Sequence, residues 1–163
     1  MTAEPYVPAH GGLRALAEAS RDYQGCDALE EAGIDRNAAY LTNAVKHFKF
    51  VPEERGKRRI HKKPSAAEVR ACRPWLTAEL RTVKPEIVVC LGATAAKALL
   101  GSDFRVTADR GVLLDFPELD ELGPQHPRWA LATTHPSAVV RAPDRRSAYQ
   151  GLLADLEVVA SAL

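Results

Sequence analysis

The sequence predicts an α/β fold: a three-layer α/β/α sandwich around a mostly parallel sheet, with residues 1–163 forming a single domain. Three observations carry this. Residues 86–92, EIVVCLG, are a continuous β-branched run, the pattern of a strand covered on both faces, and they lead straight into the helical pattern ATAAKALL. Residues 129–136, WALATTHP, form a second apolar run that closes on polar residues. Strands separated by helices need right-handed crossovers, which pair them in parallel.

The totals bound the class. A chain of 163 residues can bury one core without disulfide staples. With 46% apolar and 26% charged residues it is not a disordered tract. No run approaches the roughly 20 apolar residues of a membrane span, and MTAEPYVPAHGG lacks a charged-then-apolar leader pattern. The expectation is a cytoplasmic monomer. In a reducing compartment the odd number of cysteines, Cys26, Cys72 and Cys90, reads as core thiols, metal ligands, or one of each.

Along the chain, Leu13, Leu16 and Ala17 share one face of a helix over 11–21. Residues 28–37, ALEEAGIDRN, look like the tail of a second helix with Gly33 as its C-cap, and only Asp27 separates that tail from Cys26. Residues 38–43, AAYLTN, suit a buried strand whose carboxyl end opens onto a site. Ser65 and Glu68 make a capping box ahead of Val69, Cys72, Leu76, Leu80 and Val83 at helical spacing. FRVTADRGVLLDF resembles a hairpin or edge pair, and DELGPQHPR a punctuated loop. A terminal helix over 144–163 turns Tyr149, Leu152, Leu153, Leu156 and Val159 inward.

Charge is concentrated in Lys46 to Lys63, KHFKFVPEERGKRRIHKK, which holds eight Lys/Arg against Glu53 and Glu54 while the whole chain nets only +1. Phe48 and Phe50 alternate with Lys46 and Lys49. Cations interleaved with rings suit a polyanion that also offers stacking faces, a nucleic acid; the alternative is a solvated basic loop.

In a parallel sheet ligands collect beyond the carboxyl ends of the strands, so Asn43, Leu91 to Thr94 and His135 to Ser137 should ring one crevice. An asparagine there can donate and accept side by side, as the edge of a pyrimidine requires, or it can simply cap a strand end. A His-Pro-Ser turn can aim an imidazole at an oxygen that gains negative charge, or carry an ordinary surface histidine. Lys57, Arg58 and Arg59 before His61, and Lys62 and Lys63 after it, favour a neutral imidazole, which is a nucleophile; a phosphate contact is the alternative. Cys26, His47 and Cys72 could be three corners of a metal site, although their spacing is not that of a zinc finger. Cys90, inside an apolar strand, reads as a buried thiol.

Taken together, TNAVKHFKF, KRRIHKKPSAAEVRACRPWL, VVCLGATAAKALLG, FRVTADRG and THPSAVVRAP resemble the uracil-DNA glycosylase superfamily over roughly residues 10 to 163. The KRRIH element is similar to the UdgX-type branch, which is related to the iron–sulfur family 4 enzymes. The resemblance implies excision of uracil from single-stranded DNA after base flipping. It implies that Asn43 reads the uracil edge, that His135 stabilises charge on the leaving base, and that His61 captures the sugar C1′ in a covalent adduct. Ser137, Arg58 and Arg59 would shape the substrate site, and Lys57, Lys62, Lys63 and Arg141 would meet phosphates. It also implies a [4Fe–4S] cluster held by Cys26, His47 and Cys72, short of one ligand because Tyr23 stands where relatives have a cysteine.

The chain departs from that pattern at Asp27–Ala28. About 45 residues of the family's sequence, enough for a strand, a loop and most of a helix, have no counterpart there, among them an acidic Gly-Glu-x-Pro-Gly motif. Either the segment is deleted or residues are hidden at the junction; a bonded pair would place the two Cα atoms about 3.8 Å apart. A non-catalytic DNA-binding remnant is therefore the alternative to an active glycosylase.

Overall fold

The computed structural model describes residues 27–46, 50–52, 59–61, 63–124 and 126–163, and for 27, 50–52 and 59–61 the backbone alone. The expected helix over 11–21, together with Tyr23, Cys26, His47, Lys57, Arg58 and Lys62, lies outside these residues.

Helix α1 spans Asp27–Glu31. It closes as the sequence suggests: Gly33, at φ 84°, donates to Glu30 O, and Ile34 N donates to Leu29 O at 2.8 Å. Residues 38–43 are not a strand. Asp35 caps a single 3-10 turn, Arg36–Ala38, by accepting from Asn37 N at 2.8 Å, and the chain beyond it runs without a ladder. A short apolar run does not distinguish a strand from an extended segment held by side chains.

The basic stretch contains a two-stranded antiparallel hairpin, β1 (Phe50–Pro52) and β2 (Arg59–His61), in which Phe50 pairs with His61 and Pro52 with Arg59. Helix α2, Ala66–Val83, starts at the capping box: Glu68 N donates to Ser65 Oγ, and Ser65 N donates to Glu68 Oε2 at 2.6 Å. Cys72, Leu76 and Leu80 are its buried stripe, and it stops at Lys84, at φ 50°.

The remaining elements build the sheet and its cover. They are β3 (Ile87–Leu91), α3 (Ala93–Leu99), α4 (Val106–Asp109), β4 (Leu113–Asp115), β5 (Trp129–Thr133), α5 (Pro136–Arg141) and α6 (Arg145–Ala160). The sheet order is β3-β5-β4, with β3 parallel and β4 antiparallel to β5. The sheet is thus mixed, and parallel pairing holds for β3 and β5. The expected hairpin over 104–116 is instead a one-turn helix followed by an edge strand whose partner is β5.

Side-chain alternation along the strands divides the interior into two cores. Ala130, Ala132, Val88 and Cys90 meet Leu76, Leu80, Ala96, Leu99 and Val106 on one face. Leu131, Ile87, Val89 and Leu113 meet Ala28, Ile34, Val139, Leu152, Leu156 and Val159 on the other. Helices on both faces of one sheet make the three-layer α/β sandwich.

Candidate active site

Parallel pairing sets the carboxyl ends of β3 and β5 side by side, Leu91 opposite Thr133, and Gly92 N donates to Thr133 O at 2.8 Å. Both chains then turn away at one point. Gly92 does so at φ 86° and ψ 168°, a region open essentially to glycine alone, and a Cβ there would lie 2.9 Å from His135 Cβ. The backbone of β3 therefore forms a seat against which His135 packs.

His135 is also the N-cap of α5, with Pro136 at the first helical position. Its Nδ1 accepts from Ser137 N at 3.1 Å and lies 2.8 Å from Ser137 Oγ, while Arg141 Nη2 donates to the same Oγ at 3.1 Å. An acceptor Nδ1 leaves the proton of the neutral ring on Nε2. The structure thus brings His135, Ser137 and Arg141 together beside Gly92.

A part-buried polar cluster holds the strand below the imidazole. Asp155 on α6 accepts from Arg110 Nε at 2.7 Å and from the Thr133 hydroxyl, and Arg110 Nη2 also lies 2.7 Å from its Oδ2. Thr133 is fully buried. Two glycines make room: a Cβ at Gly111 would collide with Asp155 Oδ1, and one at Gly151 would come within 3.0 Å of Arg110 Nη2. Sequence reasoning missed this anchor because Arg110 and Asp155 are far apart along the chain; the one available signal was a pair of glycines where helix or strand formers are expected.

Asn43 is exposed, and its neighbours fix the segment that carries it. Thr42 Oγ1 donates to Glu79 Oε2 at 2.8 Å, and Lys46 Nζ lies 2.6 Å from the same oxygen and from Thr42 Oγ1. Burial first, and then the Glu79 carboxylate, push the Tyr40 phenol up to about 12. Glu79 is a second residue that sequence reasoning did not single out. Lys46, counted there among the cations offered to a polyanion, is neutralised by Glu79 within the protein.

The metal reading rests on Cys72 among the described residues. Its thiol is free and buried, and it accepts the Lys46 N–H at 3.4 Å, so it stands at the root of the segment that continues to His47. A backbone donor to sulfur is the environment of a ligating thiolate, and in that respect Cys72 fits a cluster. No group of three or more His, Cys, Asp or Glu side chains converges on a metal-sized point among the described residues. Cys90 is buried, and burial pushes its thiol up to about 12, as expected of an inert core residue. His61 and Arg59 are placed by backbone in β2, and Lys63 is exposed just beyond it.

Residues 5–157 match the family model described as the uracil DNA glycosylase superfamily. A type-4 uracil-DNA glycosylase of Archaeoglobus fulgidus is 28% identical over 148 residues, covering 90% of this chain and 63% of that protein. A type-4 uracil-DNA glycosylase of Pyrobaculum aerophilum is 29% identical over 143 residues, with 84% and 68% covered. One from Thermotoga maritima is 31% identical over 116 residues, with 71% and 52% covered. The chain thus spans roughly half to two thirds of the length of these relatives.

Proposed function

The chain belongs to the uracil DNA glycosylase superfamily, and on that premise we propose that it excises uracil from DNA and retains the abasic sugar on His61. The observation that carries the reading is His135: its Nδ1 accepts from within α5, so in the neutral ring the proton sits on Nε2, where it can act as a donor to a substrate oxygen. Cleavage of the bond between C1′ and the base nitrogen leaves the electron pair on the base, and charge spreads to the pyrimidine oxygens. A fixed N–H aimed at such an oxygen is worth most when that charge develops. Asn43, with a donor and an acceptor on one amide, reads the uracil edge.

In this reading the lone pair of a neutral His61 nitrogen takes the place of water at C1′. One carbon–nitrogen bond breaks and another forms. The cations around His61 hold its imidazole neutral, and Arg58 and Arg59 shape the segment that presents it. Lys57, Lys62 and Lys63 meet phosphates of single-stranded DNA. Cys72, together with Cys26 and His47, would hold an iron–sulfur cluster, whose contribution would be to tie the N-terminal segment and the base of the hairpin to α2.

The test is incubation with a uracil-containing single-stranded oligonucleotide followed by denaturing electrophoresis. Wild type gives a shifted, covalent band and free uracil, and His61→Ala loses the band. A band that persists at full intensity in His61→Ala refutes the capture step. A second reading, a DNA-binding protein without excision, is favoured by the lack of a Gly-Glu-x-Pro-Gly motif in the sequence. It predicts salt-sensitive binding with no preference for uracil, and release of uracil rules it out.

A further inference from the structure

Arg141 was expected to reach a phosphate, yet its guanidinium is turned back onto its own helix. One turn earlier on α5, Ser137 Oγ takes a hydrogen bond from Arg141 Nη2 at 3.1 Å and sits 2.8 Å from His135 Nδ1. A guanidinium has donors only, so the serine oxygen must be the acceptor in that contact. Nδ1 already accepts the Ser137 backbone N–H at 3.1 Å, so it too is an acceptor. The hydroxyl between them has one proton, and Nδ1, 2.8 Å away, is an acceptor that faces it. The directions are thus fixed in sequence: guanidinium to hydroxyl, hydroxyl to ring.

We propose that Arg141 is a positioning residue that acts through the Ser137 hydroxyl, aiming its proton at His135 Nδ1 and so holding the imidazole in the form whose proton is on Nε2. This rests on His135 serving as the donor to the leaving base. Without Arg141 the hydroxyl rotates freely and can accept from a protonated Nδ1 as readily as donate to a bare one, and the wrong ring form gains population. The backbone N–H of Ser137 opposes that form in either case, so the effect is a partial loss. Arg141 need not touch DNA at all.

Two readouts test this, one of them independent of catalysis. In free, 15N-labelled protein, two-bond proton–nitrogen correlations assign which ring nitrogen of His135 carries the proton. Wild type shows a bare Nδ1; Arg141→Met lowers the ratio of the Nε2–H to the Nδ1–H form roughly fivefold, the weight of one hydrogen bond, and Arg141→Lys restores it. If uracil excision fails in wild type, this ring signature still reports on Arg141, so the two claims fail separately. In single-turnover excision, Arg141→Met slows the chemical step about fivefold with unchanged affinity for DNA. In a Ser137→Ala background the same substitution changes the rate less than about twofold, because its route to the ring is gone. Losses that multiply in the double variant, or an Arg141→Met protein with weaker DNA binding and a shallower salt dependence, would overturn the proposal and return Arg141 to the phosphates. An Arg141→Met ring signature identical to wild type would overturn it as well.

Discussion

Asp155→Ala removes the hydrogen-bond acceptor of Arg110 Nε, 2.7 Å away, and of the Thr133 hydroxyl, together with the ion-pair partner of Arg110 Nη2, also 2.7 Å away. Breaking a buried ion pair by deleting one partner costs about 3–5 kcal/mol. Arg110 keeps 28% of its side-chain surface exposed. Its exposed part therefore recovers some hydration, which discounts the cost to about 2–3 kcal/mol, below that range. Thr133 has no such escape at 0% exposure, and its unpaired hydroxyl adds about 1 kcal/mol. The expected loss is about 3–4 kcal/mol, a large share of the 5–15 kcal/mol that holds an ordinary domain together. Asp155→Asn keeps an acceptor for Thr133 but loses the charge, and should cost about half as much. Urea unfolding of the three proteins measures this as shifts in midpoint at constant slope. A cost below about 1 kcal/mol for Asp155→Ala, or equal costs for the two variants, refutes the view that this carboxylate anchors β5.

Gly92→Ala places a Cβ 2.9 Å from His135 Cβ at a backbone conformation that L residues avoid, so it should cost about 2–3 kcal/mol and depress uracil release by displacing the imidazole; an Ala variant of wild-type activity would contradict the seat described for His135. The buried Cys90 thiol stays protonated to about 12 when folded but ionises near 9 once unfolded. Between those values the unfolded state binds fewer protons, so stability falls as pH rises, by about 1.4 kcal/mol per unit from this one group. Cys90→Ala should flatten that alkaline slope, and an unchanged slope in urea titrations between pH 8 and 11 would count against it. Glu79→Gln should bring the Tyr40 ionisation down from about 12 while leaving it above its ordinary value of 10, because burial is the larger cause; phenolate absorbance during alkaline titration reads the shift, and no movement would detach Tyr40 from Glu79.

Much of the architecture could be read from local chemistry. Ser65 with Glu68, and Gly33, each encode a cap that needs no distant partner and forms as expected, and the β-branched run of β3 forms its strand as expected, paired with β5. The segment around Asn43 was misread for a physical reason. Its apolar residues satisfy the same short pattern as a strand, yet what holds it is a polar contact from Thr42 and Lys46 to Glu79, more than 30 positions away. Likewise, β4 pairs with β5 and not with the residues just before it, since Leu113 is needed to cover the α6 face of the sheet. At the site, the His-Pro-Ser turn was visible, but nothing in its letters says which ring nitrogen faces the helix. That depends on Ser137 serving simultaneously as backbone donor and hydroxyl relay. Arg110 and Asp155 illustrate the general limit: an ion pair across a fold has no sequence signature until the topology is known.

The division of the interior into two cores has a kinetic consequence. Among the described residues, β5 is the one strand of its sheet with neighbours on both edges, and its residues feed both cores. Its amides cannot open by fraying from either side; they exchange only when both halves of the domain let go together. Each partial opening that detaches an outer strand or a single helix layer leaves this strand in place. The imidazole just past its end is therefore mounted on a strand that opens late, and any adjustment needed to admit a ligand there has to come from the elements that surround it.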